Sequence, residues 1–363
     1  MTAPSSPVRP DEAVIGKGET DRPGAQSENG ALQSEAREDA KPRRRIKSDL
    51  KLNPWEKALY WLMLGTLHAL SLIPDFILYP VGALGGYLGF LLDRRHIEIG
   101  MKNLEIAFAE KSTAERRNIL RASYINLGRS AAEYIRLGGF FYRRLKNRVT
   151  YERLWYWKEF QKKYPGRGIL VVTAHYGNFE LLPAAHAMYG YQIALVHHTQ
   201  RFLPGDALLS FVRERVGVEC MRKHNAARAV LRALRAGEIV GIPFDQNAKR
   251  SEAVFVPFFG EPASTTGGLA RIAVLSGAAV IPVFIVRQPD GRRHRIEIGD
   301  EIALANTGDV DADVAENTSR FVKAVEDAVR RHPEQFLWTH RRYRTRPRGM
   351  LPVYADQRPK KSL

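Results

Sequence analysis

The most informative stretch of the chain is Ile169-Leu-Val-Val-Thr-Ala-His175-Tyr-Gly-Asn-Phe-Glu180. Its first six residues are apolar or β-branched, which predicts a buried strand. Gly177-Asn178 then predicts a turn, and the apolar segment 179–188 predicts a helix. His175 therefore follows the carboxyl end of a strand, which is where open α/β sheets place their ligands.

The spacing of His175 and Glu180 suggests a base and its orienting partner. A neutral imidazole accepts a proton from a hydroxyl when a carboxylate holds its other nitrogen and stabilises the imidazolium. Glu180, one turn into the predicted helix, is placed to reach back to His175. The alternative from the residues alone is that His175 only caps the turn after the strand.

Strand-like and helix-like segments alternate after residue 166. Strands are predicted over 192–198, 218–222, 238–244 and 279–287, with an edge strand over 294–298, and helices over 208–216, 225–236, 265–276 and 313–331. This alternation predicts an α/β fold with a mostly parallel, twisted sheet covered by helices. Asp245 follows its strand as His175 follows another, so the two side chains are expected to converge on one cleft.

The composition divides the chain into four regions. Residues 1–50 are rich in Pro, Gly, Ser and charged residues, which predicts a disordered tail. Residues 51–95 contain two apolar segments, each shorter than the roughly 20 residues of an untilted span, and predict a membrane-associated helix or helical hairpin. One tilted span, an interfacial hairpin and a hairpin packed on the globular domain all remain open. A folded domain over 96–345 and a basic C-terminal tail over 346–363 complete the prediction.

The net charge of +17 indicates anionic partners. Residues 1–50 hold nine basic and nine acidic side chains, so the excess belongs to the rest of the chain. Nothing resembles a helix-turn-helix, zinc-finger or RNA-recognition signature, so no nucleic-acid partner is predicted.

A single cysteine, Cys220, excludes an intramolecular disulfide, and no Cys/His spacing predicts a metal site. Arg228, Arg232 and Arg235 share one helix face by their i, i+4, i+7 spacing. This stripe suits an acidic carrier protein or anionic lipid headgroups, and it equally suits a solvated surface.

The box His175-Tyr-Gly-Asn-Phe-Glu180 resembles the His-x4-Asp/Glu box of the lysophospholipid acyltransferase superfamily, in particular its bacterial lipid A biosynthesis (lauroyl/myristoyl) branch. Further segments follow in that family's order: Asn103-Leu-Glu-Ile-Ala-Phe108, Pro243-Phe-Asp-Gln-Asn247, Val256-Pro-Phe-Phe-Gly260 and Trp338-Thr-His-Arg-Arg-Tyr343.

The resemblance implies an O-acyltransferase of the bacterial inner membrane whose catalytic domain faces the cytoplasm. Its donor would be a fatty acyl thioester on acyl carrier protein or coenzyme A, and its acceptor an anionic glycolipid hydroxyl, most plainly on a lipid A precursor. No further cofactor and no metal are implied. The implied site pairs the base His175 with Glu180, while the substrate-binding residues are Asp245, Gln246, Arg213 and Asn178, with Arg213 gripping a phosphate. Since no GxSxG elbow is present, direct transfer is expected rather than a covalent acyl-enzyme.

Other functions remain open at this stage. The same branch includes acyltransferases of other glycolipids or lysophospholipids, for example of mannosylated phosphatidylinositol. A catalytically silent membrane-bound scaffold would tolerate loss of His175. A metal-dependent hydrolase would use His175, Glu180 and Asp245 as ligands.

Overall fold

The computed structural model describes residues 52–197, 200–222 and 226–354. The predicted disordered tail, residues 1–50, lies outside this part. The helices are α1 (Pro54–Leu70), α2 (Asp75–Leu92), α3 (Arg94–Ala107), α4 (Thr113–Gly138), α5 (Leu154–Lys163), α6 (Leu181–Met188), α7 (Leu203–Val216), α8 (Ala226–Arg235), α9 (Gly268–Ser276) and α10 (Val310–Arg331). The strands are β1 (Val149–Glu152), β2 (Ile169–Thr173), β3 (Ile193–His197), β4 (Glu219–Arg222), β5 (Ile239–Pro243), β6 (Ala253–Phe258), β7 (Glu261–Thr266), β8 (Ala279–Arg287) and β9 (His294–Ile298).

The main sheet of the described chain has the order β1-β9-β8-β2-β5-β3-β4. Neighbouring strands run parallel except β8 and β9, which confirms the predicted α/β fold with a mostly parallel sheet. The prediction of β9 as an edge strand is wrong, because β1 pairs on its outer side. Residues 265–266 belong to the β6–β7 hairpin instead of the predicted helix start, since α9 begins at Gly268.

The register between β2 and β5 brings His175 and Asp245 next to each other. Thr173 lies opposite Pro243, and the amide of Phe244 donates to the Thr173 carbonyl at 2.8 Å. His175 and Asp245 each follow this pair by two residues, so the sheet delivers both to the same point. The convergence predicted from the positions of these residues after their strands is therefore confirmed.

The turn after His175 depends on a glycine. Gly177 has a φ of +60°, and a Cβ atom there would lie 1.8 Å from the Ile285 carbonyl oxygen of β8. The amide of Gly177 donates to the Gln335 carbonyl at 2.9 Å. The turn thus packs backbone against backbone, which only a residue without a side chain permits.

Helix α2 packs closely along α4 through small residues. A Cβ on Gly86 would lie 2.2 Å from the Tyr124 carbonyl oxygen, and one on Gly128 would lie 2.1 Å from that of Gly82. By length and composition α2 could cross a membrane. Only 17% of it is buried in the protein, unlike the core helix of a soluble domain. The outer faces of α1 and α2 expose large apolar side chains, among them Trp55, Trp61, Leu62, Phe76, Val81, Leu84, Leu88 and Leu92.

The folded domain extends beyond its predicted end at residue 345. Arg346 is buried and donates to the Pro262 carbonyl at 2.9 Å, and the hydroxyl of the buried Tyr354 donates to Asn103 Oδ1 at 2.6 Å. The segment 346–354 is therefore held on the domain at both ends, by Arg346 at β7 and by Tyr354 at α3. Residues 355–363 lie outside the described part.

Candidate active site

His175 and Asp245 form a hydrogen-bonded pair at the carboxyl edge of the sheet. The ring Nδ1 lies 2.9 Å from Asp245 Oδ1 and 3.2 Å from Oδ2, and the backbone amide of His175 donates to Oδ1 at 3.1 Å. The Asp245 side chain is 1% exposed, whereas that of His175 is 20% exposed. Because the carboxylate accepts from Nδ1–H, the neutral ring keeps its lone pair on Nε2.

His175 and Asp245 shift the pKa values of each other. Burial alone would lower the pKa of His175, but the Asp245 carboxylate outweighs it and raises that pKa above its ordinary value. Burial likewise acts to raise the pKa of Asp245, yet the neighbouring imidazole and its hydrogen bonds lower it. The aspartate therefore stays ionised and makes the imidazole a stronger base.

Glu180 does not hold His175, so its predicted orienting role is corrected. Its carboxylate accepts two hydrogen bonds from Arg213, from Nε at 3.0 Å and from Nη2 at 2.6 Å. The reason is their position in the fold. Glu180 precedes α6 and faces α7, whereas Asp245 follows β5, which is adjacent to the strand β2 that leads to His175. Glu180 still lines the cavity and adds a smaller negative field at His175.

Arg213 pairs with Glu180, and its predicted contact with a phosphate stays a prediction. Its side chain is 9% exposed and lines the same cavity as Glu180, which occupies the edge of the guanidinium formed by Nε and Nη2. On the opposite edge, Nη1 makes no hydrogen bond within the described residues, so the salt bridge does not exclude a contact with a second anion. The salt bridge anchors α7 to the turn of the histidine box.

Asn178 lies inside the protein rather than against the cavity, so its predicted contact with substrate is corrected. Its amide donates to Glu133 Oε2 at 2.6 Å, and its oxygen accepts from the Leu181 amide at 3.1 Å. Glu133 in turn receives hydrogen bonds from Arg287 at 2.7 and 2.8 Å, and His294 Nε2 lies 2.8 Å from it. Burial would raise the pKa of Glu133, but the neighbouring His294 and Arg287 and their hydrogen bonds lower it to about 2. A buried network of Glu133, Arg287 and His294 thus holds the histidine box through Asn178. The spacing of residues in the sequence did not predict this network.

Gln246 is exposed beside the reactive face of the imidazole, with its Nε2 3.4 Å from His175 Nε2. Arg342, which is buried, holds this loop by donating to the Gln246 carbonyl at 3.4 Å and to the Ser264 carbonyl at 2.6 Å. Sequence reasoning did not single out Arg342, although it falls in the segment 338–343 that carries the family resemblance. The exposed Gln246 amide thus contacts the imidazole nitrogen that faces the cavity, and its predicted contact with substrate stays a prediction.

A cavity of about 940 Å³ opens beside these groups. His175, Glu180 and Gln246 line it together with Phe179, whose ring meets the imidazole edge-on at a centroid distance of 4.9 Å. Its inner wall is apolar and includes Val171, Leu182, Ile193, Leu195, Leu209 and Val283. The strand position Gly241 leaves room at this wall, where a side chain would otherwise project. Cavities of this size and character hold extended apolar ligands.

No three His, Cys, Asp or Glu side chains in residues 52–197, 200–222 and 226–354 are grouped so as to hold a metal ion. The three ligands of the hydrolase alternative are instead divided between two pairs, His175 with Asp245 and Glu180 with Arg213. The geometry therefore favours acid–base chemistry by the histidine.

An imidazole held by a carboxylate and lining a largely apolar cavity suits proton removal from a hydroxyl beside a hydrocarbon chain. On this mostly parallel sheet, such a site is that of an acyltransferase. The chain belongs to the bacterial lipid A biosynthesis acyltransferase family, whose model matches residues 46–345. It is therefore an acyltransferase of lipid A biosynthesis.

The curated relatives agree with this family. The chain is 30% identical over 298 residues to the lipid A biosynthesis lauroyltransferase of Escherichia coli K12, covering 82% of this chain and 94% of the relative. It is 30% identical over 302 residues to the palmitoleoyltransferase of the same organism, with the same coverage. The myristoyltransferase is 24% identical over 298 residues, covering 81% and 89%.

Proposed function

We propose that the protein moves a fatty acyl group from a thioester, on acyl carrier protein or coenzyme A, to a hydroxyl of a lipid A precursor, with His175 as general base. The observation that carries this proposal is the His175–Asp245 pair, whose imidazole lines the largely apolar cavity. The named relatives transfer lauroyl, palmitoleoyl and myristoyl groups, which supports a medium-to-long acyl chain in the cavity.

The proposed reaction is a direct transfer. His175 Nε2 takes the proton of the acceptor hydroxyl, whose oxygen attacks the thioester carbonyl carbon to form a tetrahedral oxyanion. The carbon–sulfur bond then breaks, and the imidazolium returns the proton to the leaving thiolate. Asp245 stabilises the imidazolium, and the exposed amide of Gln246 is placed to donate to a substrate oxygen.

Membrane association is part of this proposal. The exposed apolar faces of α1 and α2 form a surface of the kind that inserts into the outer part of a bilayer. An in-plane orientation fits better than a span, since α2 packs without a gap on α4, and the Arg117 guanidinium of α4 lies 5.1 Å from the Phe90 ring centroid. Crossing the bilayer would draw that charged helix into hydrocarbon, which is costly. We place the enzyme on the cytoplasmic face of the inner membrane, where acyl thioesters are available.

The test is an in vitro transfer assay with lauroyl, myristoyl and palmitoleoyl thioesters and a panel of acceptors. His175→Ala should lower kcat by about 10²–10⁴-fold, the usual contribution of a general base. His332→Ala, a change at a partly exposed histidine paired with Glu334, is the matched control and should leave kcat unchanged. Full turnover by His175→Ala would overturn the base assignment.

The acceptor and donor are tested separately. Mass spectrometry of membrane glycolipids from cells with and without the protein should show one added acyl mass on a lipid A species. Acylation of mannosylated phosphatidylinositol or a lysophospholipid instead would refute the lipid A acceptor. Comparing acyl carrier protein and coenzyme A thioesters in vitro assigns the donor.

A further inference from the structure

The active-site cavity extends over both faces of the main sheet. Alternate residues of a strand point to opposite faces, yet Gly241 and Ile242 of β5 both line the cavity. On the face covered by α6 and α7, its lining is the apolar wall described above. On the opposite face, covered by α8 and α9, the lining includes Val230, Leu269 and Ile272. We call this second part of the cavity the outer lobe.

The outer lobe opens to solvent between α8, α9 and the start of α10. Ala227 of α8, Arg271 of α9 and Asp311 of α10 line it and are exposed, whereas Val230 and Ile272 further in are buried. At its inner end the lobe joins the part of the cavity lined by His175 and Gln246. A flexible arm that entered from solvent between these helices would therefore end at the reactive imidazole.

The helix beside this opening carries the arginine stripe noted in the sequence. Arg228, Arg232 and Arg235 are exposed, while Val230 and Leu234 of the same helix are buried in the core. Helix α8 contains no acidic residue, and none of the three arginines forms a salt bridge with a described residue. The outward side of α8 therefore has a positive potential that favours an anionic partner.

An exposed apolar side chain lies next to the stripe. Leu275 of α9 is 61% exposed, and its carbonyl accepts a hydrogen bond from Arg235 Nη2 at 3.1 Å. An apolar residue bordered by arginines is typical of a protein–protein interface, where Arg is enriched. We refer to Arg228, Arg232, Arg235 and Leu275 together as the basic face.

The opening of the outer lobe is less charged than the basic face. It is lined by Arg271, Asp311 and Glu252, and Arg271 pairs with Asp311 at 3.0 Å. The positive charge thus lies beside the opening, where the body of a partner would rest. The opening itself suits an uncharged arm, because it offers no strong binding site for a phosphate.

The basic face lies away from the proposed membrane surface. Helix α1 packs on α7, and α7 covers the sheet face opposite to that of α8 and α9. A bilayer in contact with the exposed side of α1 would therefore leave α8 facing water. Helix α8 has ten residues and is about 15 Å long, so its row of charges matches a protein surface better than a small thioester.

We propose that the basic face docks an acidic acyl carrier protein and that the arm bearing the acyl thioester enters through the outer lobe. This inference rests on the proposed function and chooses between its two donors. The thioester carbonyl would lie at His175, where the two parts of the cavity meet. The acyl chain would then continue along the apolar wall beneath α6 and α7.

The test compares Arg228→Ala/Arg232→Ala with Lys158→Ala/Lys162→Ala. The control removes two charges at the same spacing from exposed positions of α5. With a lauroyl group on acyl carrier protein as donor, the first variant should raise KM about tenfold, because two charge contacts are lost, and the control should not. For both variants, KM for lauroyl pantetheine and kcat with either donor should stay near wild type.

Two further changes test the charge of the basic face. Arg228→Glu/Arg232→Glu should raise KM for the carrier-bound donor more than the alanine variant does, because like charges then repel. Added salt should raise this KM in wild type and change it less in Arg228→Ala/Arg232→Ala, since salt screens contacts between exposed charges.

Three results would overturn the proposal. They are equal KM increases for the carrier-bound and pantetheine donors, equal effects of the control pair, and weaker binding to anionic lipid vesicles with an unchanged donor KM. The last result would assign the basic face to lipid headgroups.

Binding of fluorescently labelled acyl carrier protein to the full-length protein, followed by anisotropy, tests docking without catalysis. Wild type should bind it, and Arg228→Ala/Arg232→Ala should bind it about tenfold more weakly. Equal affinities would refute the docking surface. An enzyme that binds the carrier through these arginines but acylates no lipid A precursor would reject the proposed function and retain the docking surface.

Discussion

Replacing Asp245 by asparagine tests whether Asp245 or Glu180 is the carboxylate that supports His175. The asparagine keeps the shape of the side chain but cannot offset the positive charge of the imidazolium. Unit charges about 4 Å apart interact by about 4 kcal/mol at an effective dielectric constant of about 20. Loss of this attraction between Asp245 and the imidazolium should lower kcat by roughly 10³-fold.

The same change should shift the pH profile of kcat/KM. The reaction needs neutral His175, so activity falls as the pH drops through the pKa of this residue. Asp245 raises that pKa above its ordinary value of 6.5, and its removal should therefore move the acidic limb to lower pH. Glu180→Gln should move the limb less, because the Glu180 charge is the smaller influence on His175.

Glu180→Gln should instead affect folding stability, since it leaves the charge of the 9% exposed Arg213 without its partner. Urea denaturation followed by circular dichroism measures this loss, which for an enclosed pair is about 3–5 kcal/mol. Asp300→Asn, at a side chain that is 79% exposed, is the control for loss of a carboxylate. An unmoved acidic limb in Asp245→Asn, with a large shift in Glu180→Gln, would refute the pairing seen in the structure.

Three further changes test the packing around the site. Glu133→Ala leaves Arg287 buried without its carboxylate and should cost about 3–5 kcal/mol in urea denaturation, whereas removing both charges together should cost less. Gly241→Val should fill the apolar wall and favour lauroyl over palmitoleoyl thioesters, by about fourfold in kcat/KM for each methylene excluded; an unchanged ratio would place the acyl chain elsewhere. Leu84→Asp, on the exposed face of α2, should weaken binding to lipid vesicles at least tenfold, and the equally exposed Leu275→Asp on α9 should not; equal losses would exclude α2 as the membrane surface.

Much of the fold was predictable because its signals are local. The apolar run ending at Thr173 and the run over 279–287 are long enough to indicate buried strands. The strand β1 and the β6–β7 hairpin were missed, since four residues of mixed character and a Pro-rich hairpin carry little periodicity.

The site was predictable in its residues but not in their pairing. His175, Glu180, Asp245 and Gln246 all line or adjoin the cavity, as the histidine box and the strand-end positions indicated. The sequence spacing favoured Glu180 as the partner of His175, because five residues bring the two close along the chain. Contact instead follows the strand register, which sets Thr173 opposite Pro243 and so brings Asp245, seventy residues away, within 2.9 Å.

The amino-acid order was enough to predict six of the seven strands of the main sheet, the glycine turn after the histidine box and a histidine that follows a buried strand, because backbone propensity and burial pattern act over a few residues. The order of strands in the sheet, the pairing of Glu180 with Arg213 and the ion network behind Asn178 arise from contacts between distant segments. Such contacts depend on how helices and strands pack once the core is formed, and local spacing carries no record of that packing.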